Sequence, residues 1–183
     1  MCQFKSAIIL KDRVFVPDYD SHTDMLEELR ILDSRRNAET LFVRAELIPK
    51  NYDVFSDVSE WDFRVDQDIV PDWFVAEYEK ERMIAAVRAW AKNRIFIGVE
   101  NLVLSGGGAF YVKNCKNVTA WGNSTVTARE NSTVIKDEWS GFNTDRLVLA
   151  DNSTFKDCVT RTIYQSGDFK LVTVTDGKIK RGG

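Results

Sequence analysis

The sequence predicts an α+β head domain over residues 1–93, followed by a short parallel β-solenoid over residues 94–183. Three observations carry this. One short phrase returns four times in the second half, as Asn117-Val-Thr, Asn123-Ser-Thr, Asn131-Ser-Thr and Asn152-Ser-Thr. A polar turn residue leading into a brief β segment, repeated, is how stacked β coils are written in sequence. The clearest helical stripe of the chain ends near Asn93, and from Arg94 onward helix signals vanish. Before that point, alternating and 3.6-periodic segments are interleaved, which suits an α+β unit.

The head begins with a strand from Gln3 to Leu10, where Phe4, Ser6, Ile8 and Leu10 alternate with Lys5, Ala7 and Ile9. Lys11-Asp12 turns the chain into a second strand, Arg13–Val16, closed by Pro17. Ser21 then caps a helix whose third position is Asp24, with Met25, Leu26 and Leu29 at helical spacing as far as Leu32. Residues 33–39 are polar and read as a loop. Leu41–Ile48 alternates and stops at Pro49, residues 50–60 are irregular, and a short strand follows at Trp61–Val65. Pro71-Asp72 opens the long helix, Trp73–Asn93, with Met83, Val87, Trp90 and Ala91 on the stripe that faces the sheet and Glu77, Glu81, Arg88 and Lys92 opposite.

In the second half, Ile95–Val99 and Leu102–Leu104 are β-like, and Gly106-Gly107-Gly108 forces a turn or bulge. Asn101 and Asn117 are sixteen residues apart and Asn123 and Asn131 eight, whereas Asn131 and Asn152 are twenty-one apart. The period is thus loose, broken by an insertion over Asp137–Phe142, and four or five short coils fit. An antiparallel meander or sandwich with turns at the same Asn and Gly positions is the competing architecture.

With 44% hydrophobic and 29% charged residues over 183 positions the chain has the composition of a folded protein. Its 25 basic and 28 acidic residues give a net charge of −3 without a Lys/Arg run, so a general grip on nucleic acid is not expected. Nowhere do roughly eighteen apolar residues run together, and Ala7–Leu10 is too short for a signal-peptide core. A cytoplasmic protein with Cys2, Cys115 and Cys158 reduced is the expectation, and the Asn-Xaa-Ser/Thr triplets then belong to the repeat rather than to glycosylation. No cofactor is expected: Gly106-Gly107-Gly108 has neither the Lys-Ser/Thr of a phosphate loop nor dinucleotide spacing.

Two residues offer nucleophilic chemistry. Removal of Met1 would leave Cys2 as an N-terminal thiol with its own α-amine as base. His22, the single histidine, is the one imidazole a Cys-His dyad can use, and Asp18, Asp20 and Asp24 lie near it in sequence. The plainer readings are a small residue at a strand edge and an exposed imidazole beside a helix cap. One histidine also excludes the common two- and three-histidine zinc sites. Asp66 and Asp68 share one face of an extended Val65–Ile69 and can hold a cation, but a hydrogen-bonded acidic turn explains them as well, so no metal is predicted. Arg44 and Glu46 share a strand face and can pair with these aspartates. The aromatics of residues 61–90 read as core. Trp121, Trp139 and Phe142, beside Gly or Asn in turns, are expected on loops as a binding surface.

The Met-Cys start resembles that of class II glutamine amidotransferases, which hydrolyse glutamine with it, and of SRAP-type proteins, which trap abasic DNA with it. Both usually continue Met-Cys-Gly, where this chain has Gln3. A broader resemblance rests on Met1-Cys2-Gln-Phe-Lys-Ser-Ala-Ile-Ile-Leu-Lys, Phe42-Val-Arg-Ala-Glu-Leu-Ile-Pro and Val65-Asp-Gln-Asp-Ile-Val-Pro-Asp-Trp73. These phrases are similar to an uncharacterised group of small proteins from phages and gut bacteria, in which a compact N-terminal domain precedes Gly-Asn-Ala/Ser-Thr-Val repeats. The resemblance covers residues 1–93 and implies a phage or prophage setting in a bacterial host, without a mechanism. The expected function is therefore a non-enzymatic binding or assembly protein, with a protein partner or self-association. The alternative is an N-terminal-cysteine hydrolase or amidotransferase using Cys2 with His22.

Overall fold

Alternating residues on two adjacent strands build the centre of the first sheet. The computed structural model describes residues 4–166, 171–175 and 178–182, the last two stretches by backbone pairing. The chain divides into two units, Met1–Asn93 and Arg94–Gly183. It mixes helices and strands, strands predominate, and parallel sheets are present. Among the described residues no helix is long and apolar enough to cross a membrane.

In the first unit β1 (Lys5–Leu10), β2 (Val14–Phe15), β3 (Phe42–Ile48) and β4 (Asp62–Val65) form an antiparallel sheet in the order β2-β1-β3-β4. Lys5 through Ile9 are buried without a break, because helices cover both faces of this sheet. One face carries Ser6, Ile8, Phe42 and Glu46; α1 (His22–Glu28) lays Met25 and Leu26 against its apolar part. The other carries Lys5, Ala7, Ile9 and Val43, and α3 (Ala76–Ala91), with Met83, Ile84 and Val87 buried, packs there against β1 and β2.

Helix boundaries depart from the sequence reading where local hydrogen bonds intervene. Ser21 caps α1 as expected, accepting from the Asp24 amide at 3.3 Å. The helix stops at Glu28 instead of Leu32, because Arg30 adopts a left-handed conformation (φ 56°). Ile31 N then donates to Leu26 O and Arg30 N to Glu27 O, a Schellman ending. The expected loop at 33–39 contains a short helix, α2 (Arg35–Ala38), capped by Ser34 through the Asn37 amide. α3 begins at Ala76 rather than Trp73, since Phe74 N bonds back to Pro71 O and Trp73 Nε1 donates to Thr40 O.

The second unit holds β5 (Ile95–Ile97), β6 (Asn101–Leu104), β7 (Gly108–Lys113), β8 (Asn117–Ala120), β9 (Ser124–Arg129), β10 (Thr133–Lys136), β11 (Leu147–Leu149), β12 (Thr154–Asp157), β13 (Thr162–Gln165), β14 (Leu171–Thr175) and β15 (Lys178–Gly182). From β5 to β12 successive strands alternate between two sheets, ordered β15-β14-β11-β9-β7-β5 and β13-β12-β10-β8-β6. Within each sheet these strands are parallel. Ile95 pairs with Tyr111, Tyr111 with Thr127, and Asn101 with Asn117, each a step of sixteen residues. The next step is twenty-one, Val126 to Leu147 and Val134 to Phe155. The extra five residues lie in the Asp137–Phe142 insertion. Leu104, Val112, Val118, Val126, Val134, Leu149 and Phe155 are buried in one core. After Asp157 the pairing turns antiparallel, β12 with β13, β11 with β14 and β14 with β15.

The repeated phrase is a turn with a physical logic. Glu130 and Asn131 (φ 47° and 62°) and Asp151 and Asn152 (52° and 65°) are left-handed, a conformation in which Asn and Asp are enriched among non-glycine residues. The following serine is buried and satisfies itself locally. Ser132 sends both its N–H (3.3 Å) and its Oγ (2.6 Å) to Arg129 O, and Ser153 does the same to Ala150 O at 3.1 and 2.6 Å. Ser124 repeats the pattern on Trp121 O, with Gly122 left-handed before it. The threonine then starts or enters the next strand. Asn117-Val-Thr is different in kind: Asn117 lies within the ladder, its Nδ2 donating to Asn101 Oδ1 at 3.0 Å.

Candidate functional site

Register and one helix turn bring together three groups that are far apart in sequence. β3 places Glu46 opposite Ser6 of β1 and opposite Arg64 of β4. The Ser6 amide donates to Asp20 Oδ1, on the far side from β3, so Ser6 and Glu46 form the close, non-hydrogen-bonded type of antiparallel pair. Asp66 follows β4, its amide bonded to Arg44 O. His22 is the first residue of α1 and is buried, as is Glu46, whereas Asp66 is 44% exposed and opens the group to solvent. One potential ligand atom from each of His22, Glu46 and Asp66 lies within 4.8 Å of the others.

The imidazole is oriented by the backbone. Nε2 lies 3.3 Å from Ala45 O, and a carbonyl only accepts, so Nε2 carries the proton of that bond. Nδ1 is 3.4 Å from Asp66 Oδ2. A neutral ring with its proton on Nε2 would direct the Nδ1 lone pair at a carboxylate oxygen, an arrangement that needs a proton or a cation between the two. Beside them Ser6 Oγ is fully buried and has no hydrogen-bond partner.

The structure thus moves His22 away from the exposed cap position that the plainer sequence reading gave it. Cys2, its supposed partner, lies outside the described residues. Of the aspartates spaced along residues 62–72, only Asp66 enters the cluster. Glu46 joins it, but Arg44 pairs with Asp33 instead. Pattern reading missed the group because its members come from a helix start, a strand interior and a strand exit. It also missed Lys5, whose buried ammonium bonds Asp20 Oδ1 at 2.7 Å and Tyr19 O at 3.2 Å and lies 4.8 Å from the Trp90 ring.

In the second unit the three aromatics expected on loops separate. Trp139 is 82% exposed and Trp121 partly so, but Phe142 is only 1% exposed and belongs to the core. Its place on a binding surface is therefore corrected: the ring is the inward anchor of the insertion. Ser140 O accepts from Gly122 N at 2.9 Å, which sets the Trp139 loop beside the Trp121 turn. Sequence reading also missed the outward rows of the β6–β13 sheet. Val103, Thr119, Ile135, Lys156 and Ile163 follow one another across it, with Val103 66% and Ile163 68% exposed. A second row carries Asn101, Asn117, Thr133, Thr154 and Gln165. Alternation about inward Leu102, Val118 and Val134 was the signal that could have found both.

Among the described residues two titrating groups are shifted, neither in these sites. Burial and the hydrogen bond Tyr19 Oη donates to Glu28 Oε2 (2.5 Å) raise the Tyr19 phenol to about 12. Hydrogen bonds from Ser59 and then Arg88 hold the Asp57 carboxyl well below the usual carboxylate range. Comparison of the chain with family models, with curated proteins and with solved structures finds no match.

Proposed function

We propose that residues 94–183 form a short, two-sheeted parallel β-solenoid serving as the recognition module of a non-enzymatic binding protein, with a protein as its partner. Support for the solenoid comes from the alternation of β5–β12 between two sheets and from the registers of sixteen and twenty-one residues. The antiparallel β13, β14 and β15 occupy one end of the stack, where parallel coils alone would leave an edge open.

The observation that carries the binding role is the outward row Val103–Thr119–Ile135–Lys156–Ile163. Val103, Thr119, Ile135 and Lys156 stand on parallel neighbours and Ile163 on the antiparallel β13, with strands about 4.8 Å apart, so they form a flat array with little conformational freedom to lose on binding. Large apolar side chains at both ends, exposed well above what the fold requires, with an amide and hydroxyl row alongside, resemble the apolar centre and polar rim of protein interfaces. Trp139, and Trp121 one turn away, extend the apolar surface at a corner of the stack.

The test compares wild type with V103E/I163E and with W121A/W139A by quantitative affinity capture, alongside light scattering over a concentration series. Loss of specific captured proteins, or of a concentration-dependent dimer, in the variants with unchanged melting temperature supports the reading. Captured sets and masses identical to wild type in both variants would refute it.

A further inference from the structure

We propose that His22, Glu46, Asp66 and Ser6 form a binding site for a divalent cation of the manganese class. The sequence reading predicted no metal, since one histidine excludes the two- and three-histidine zinc sites and an acidic turn explains Asp66 and Asp68, and no sequence motif joins these four residues. The inference rests on three observations in the first unit.

The donor atoms converge. Ligands on a single ion lie about 2.0–2.2 Å from it, so none is more than roughly 4.4 Å from another. The His22, Glu46 and Asp66 atoms are already within 4.8 Å of one another, a gap that a small rotation of the exposed Asp66 carboxylate closes. Next, Nε2 of His22 lies 3.3 Å from Ala45 O, so Nδ1, 3.4 Å from Asp66 Oδ2, is the ring nitrogen placed to ligate an ion. A cation can take the place of a proton between them, and the Nε2–H···O=C bond is the usual outer support of a metal-bound imidazole. Finally, Ser6 Oγ is a fully buried hydroxyl with no partner, on the sheet face that carries Glu46 and paired directly with it. A buried hydroxyl without a partner leaves its desolvation uncompensated, and a cation or its bound water beside Glu46 supplies a partner.

Donor chemistry selects the ion. One imidazole nitrogen with two carboxylates and a hydroxyl suits Mn²⁺, whereas thiolates would favour softer ions. No thiol is part of this set, so Mn²⁺ discriminates the site from Cys115 and Cys158. The half-exposed Asp66 provides an entry path.

The experiment titrates the full chain with Mn²⁺, following the loss of the free-ion electron paramagnetic resonance signal. The expected result is one ion bound per chain. Asp66→Asn, at an exposed position outside the apolar core, and Glu46→Gln should each weaken binding at least about ten-fold. Ser6→Ala should weaken it by a smaller factor. Melting in the presence of Mn²⁺ should rise for wild type and not for Asp66→Asn. No uptake at millimolar Mn²⁺ would overturn the proposal. Uptake by Asp66→Asn equal to wild type, with the variant folded by circular dichroism, would do so as well, since the ion would then sit elsewhere.

Discussion

Replacing Phe142 by alanine separates the structural account from the surface reading of the insertion loop. The ring is 1% exposed and part of the core shared by Val126, Leu147 and Phe155. Removing a buried phenylalanine ring loses its transfer free energy and leaves a cavity, together about 3–5 kcal/mol. Phe142 sits in a loop that can settle inward, which places the expected loss near the low end, about 3 kcal/mol. Residues 94–183 are in the size range where 1 kcal/mol moves the melting temperature by about 4–8 °C, so a fall of roughly 15 °C follows for the transition of this unit. Trp139, three residues earlier and 82% exposed, should change stability by less than about 0.5 kcal/mol when truncated. Urea denaturation followed by circular dichroism measures both, with the slope of each transition checked against wild type. A loss below about 1 kcal/mol for Phe142→Ala would refute the burial argument. A loss above that for Trp139→Ala would refute the claim that its ring is free for a partner.

Two further outcomes follow from hydrogen bonds. Ser132→Ala should cost more than Ser153→Ala, by about 1 kcal/mol in denaturation midpoints. Ser132 Oγ also accepts the buried Cys115 amide at 3.1 Å, whereas Ser153 Oγ donates to Ala150 O; equal losses would sink the distinction. In alkaline titration, one tyrosine should ionise near pH 12 instead of near 10, read at 295 nm, and Glu28→Gln should bring it down. Because the folded value is raised, the Tyr19 contribution is complete below about pH 10 and is lost as pH climbs towards 12. Unfolding midpoints that stay flat from pH 10 to 12, or a late phenol that persists in Glu28→Gln, would contradict this.

Local chemistry accounts for what could be read directly. Ser21 and Asp24 announced α1, and Pro49 ended β3. The spacing of Asn101 and Asn117 is the ladder step itself, and the twenty-one residues from Asn131 to Asn152 are the later one. Such features were legible because capping, turn formation and strand alternation depend on residues a few positions apart. The same reasoning fails where a short range leaves two outcomes of similar local energy. Ser34 and Arg30 shifted helix ends, and Asn117-Val-Thr shares its letters with the turns but lies in a strand.

Tertiary structure alone decided the fate of groups whose role depends on what faces them. Trp139 and Phe142 have the same kind of sequence neighbourhood, yet one points to solvent and the other fills the core, because the insertion must anchor itself by one apolar side chain. His22, Glu46, Asp66 and Ser6 span sixty residues of sequence, and only the register of β1, β3 and β4 under α1 makes them neighbours. Backbone pairing distance, which carries no trace in local composition, sets that proximity. The repeat and its turns belong to the sequence by itself; the cluster and the outward apolar row exist only once the strands have paired.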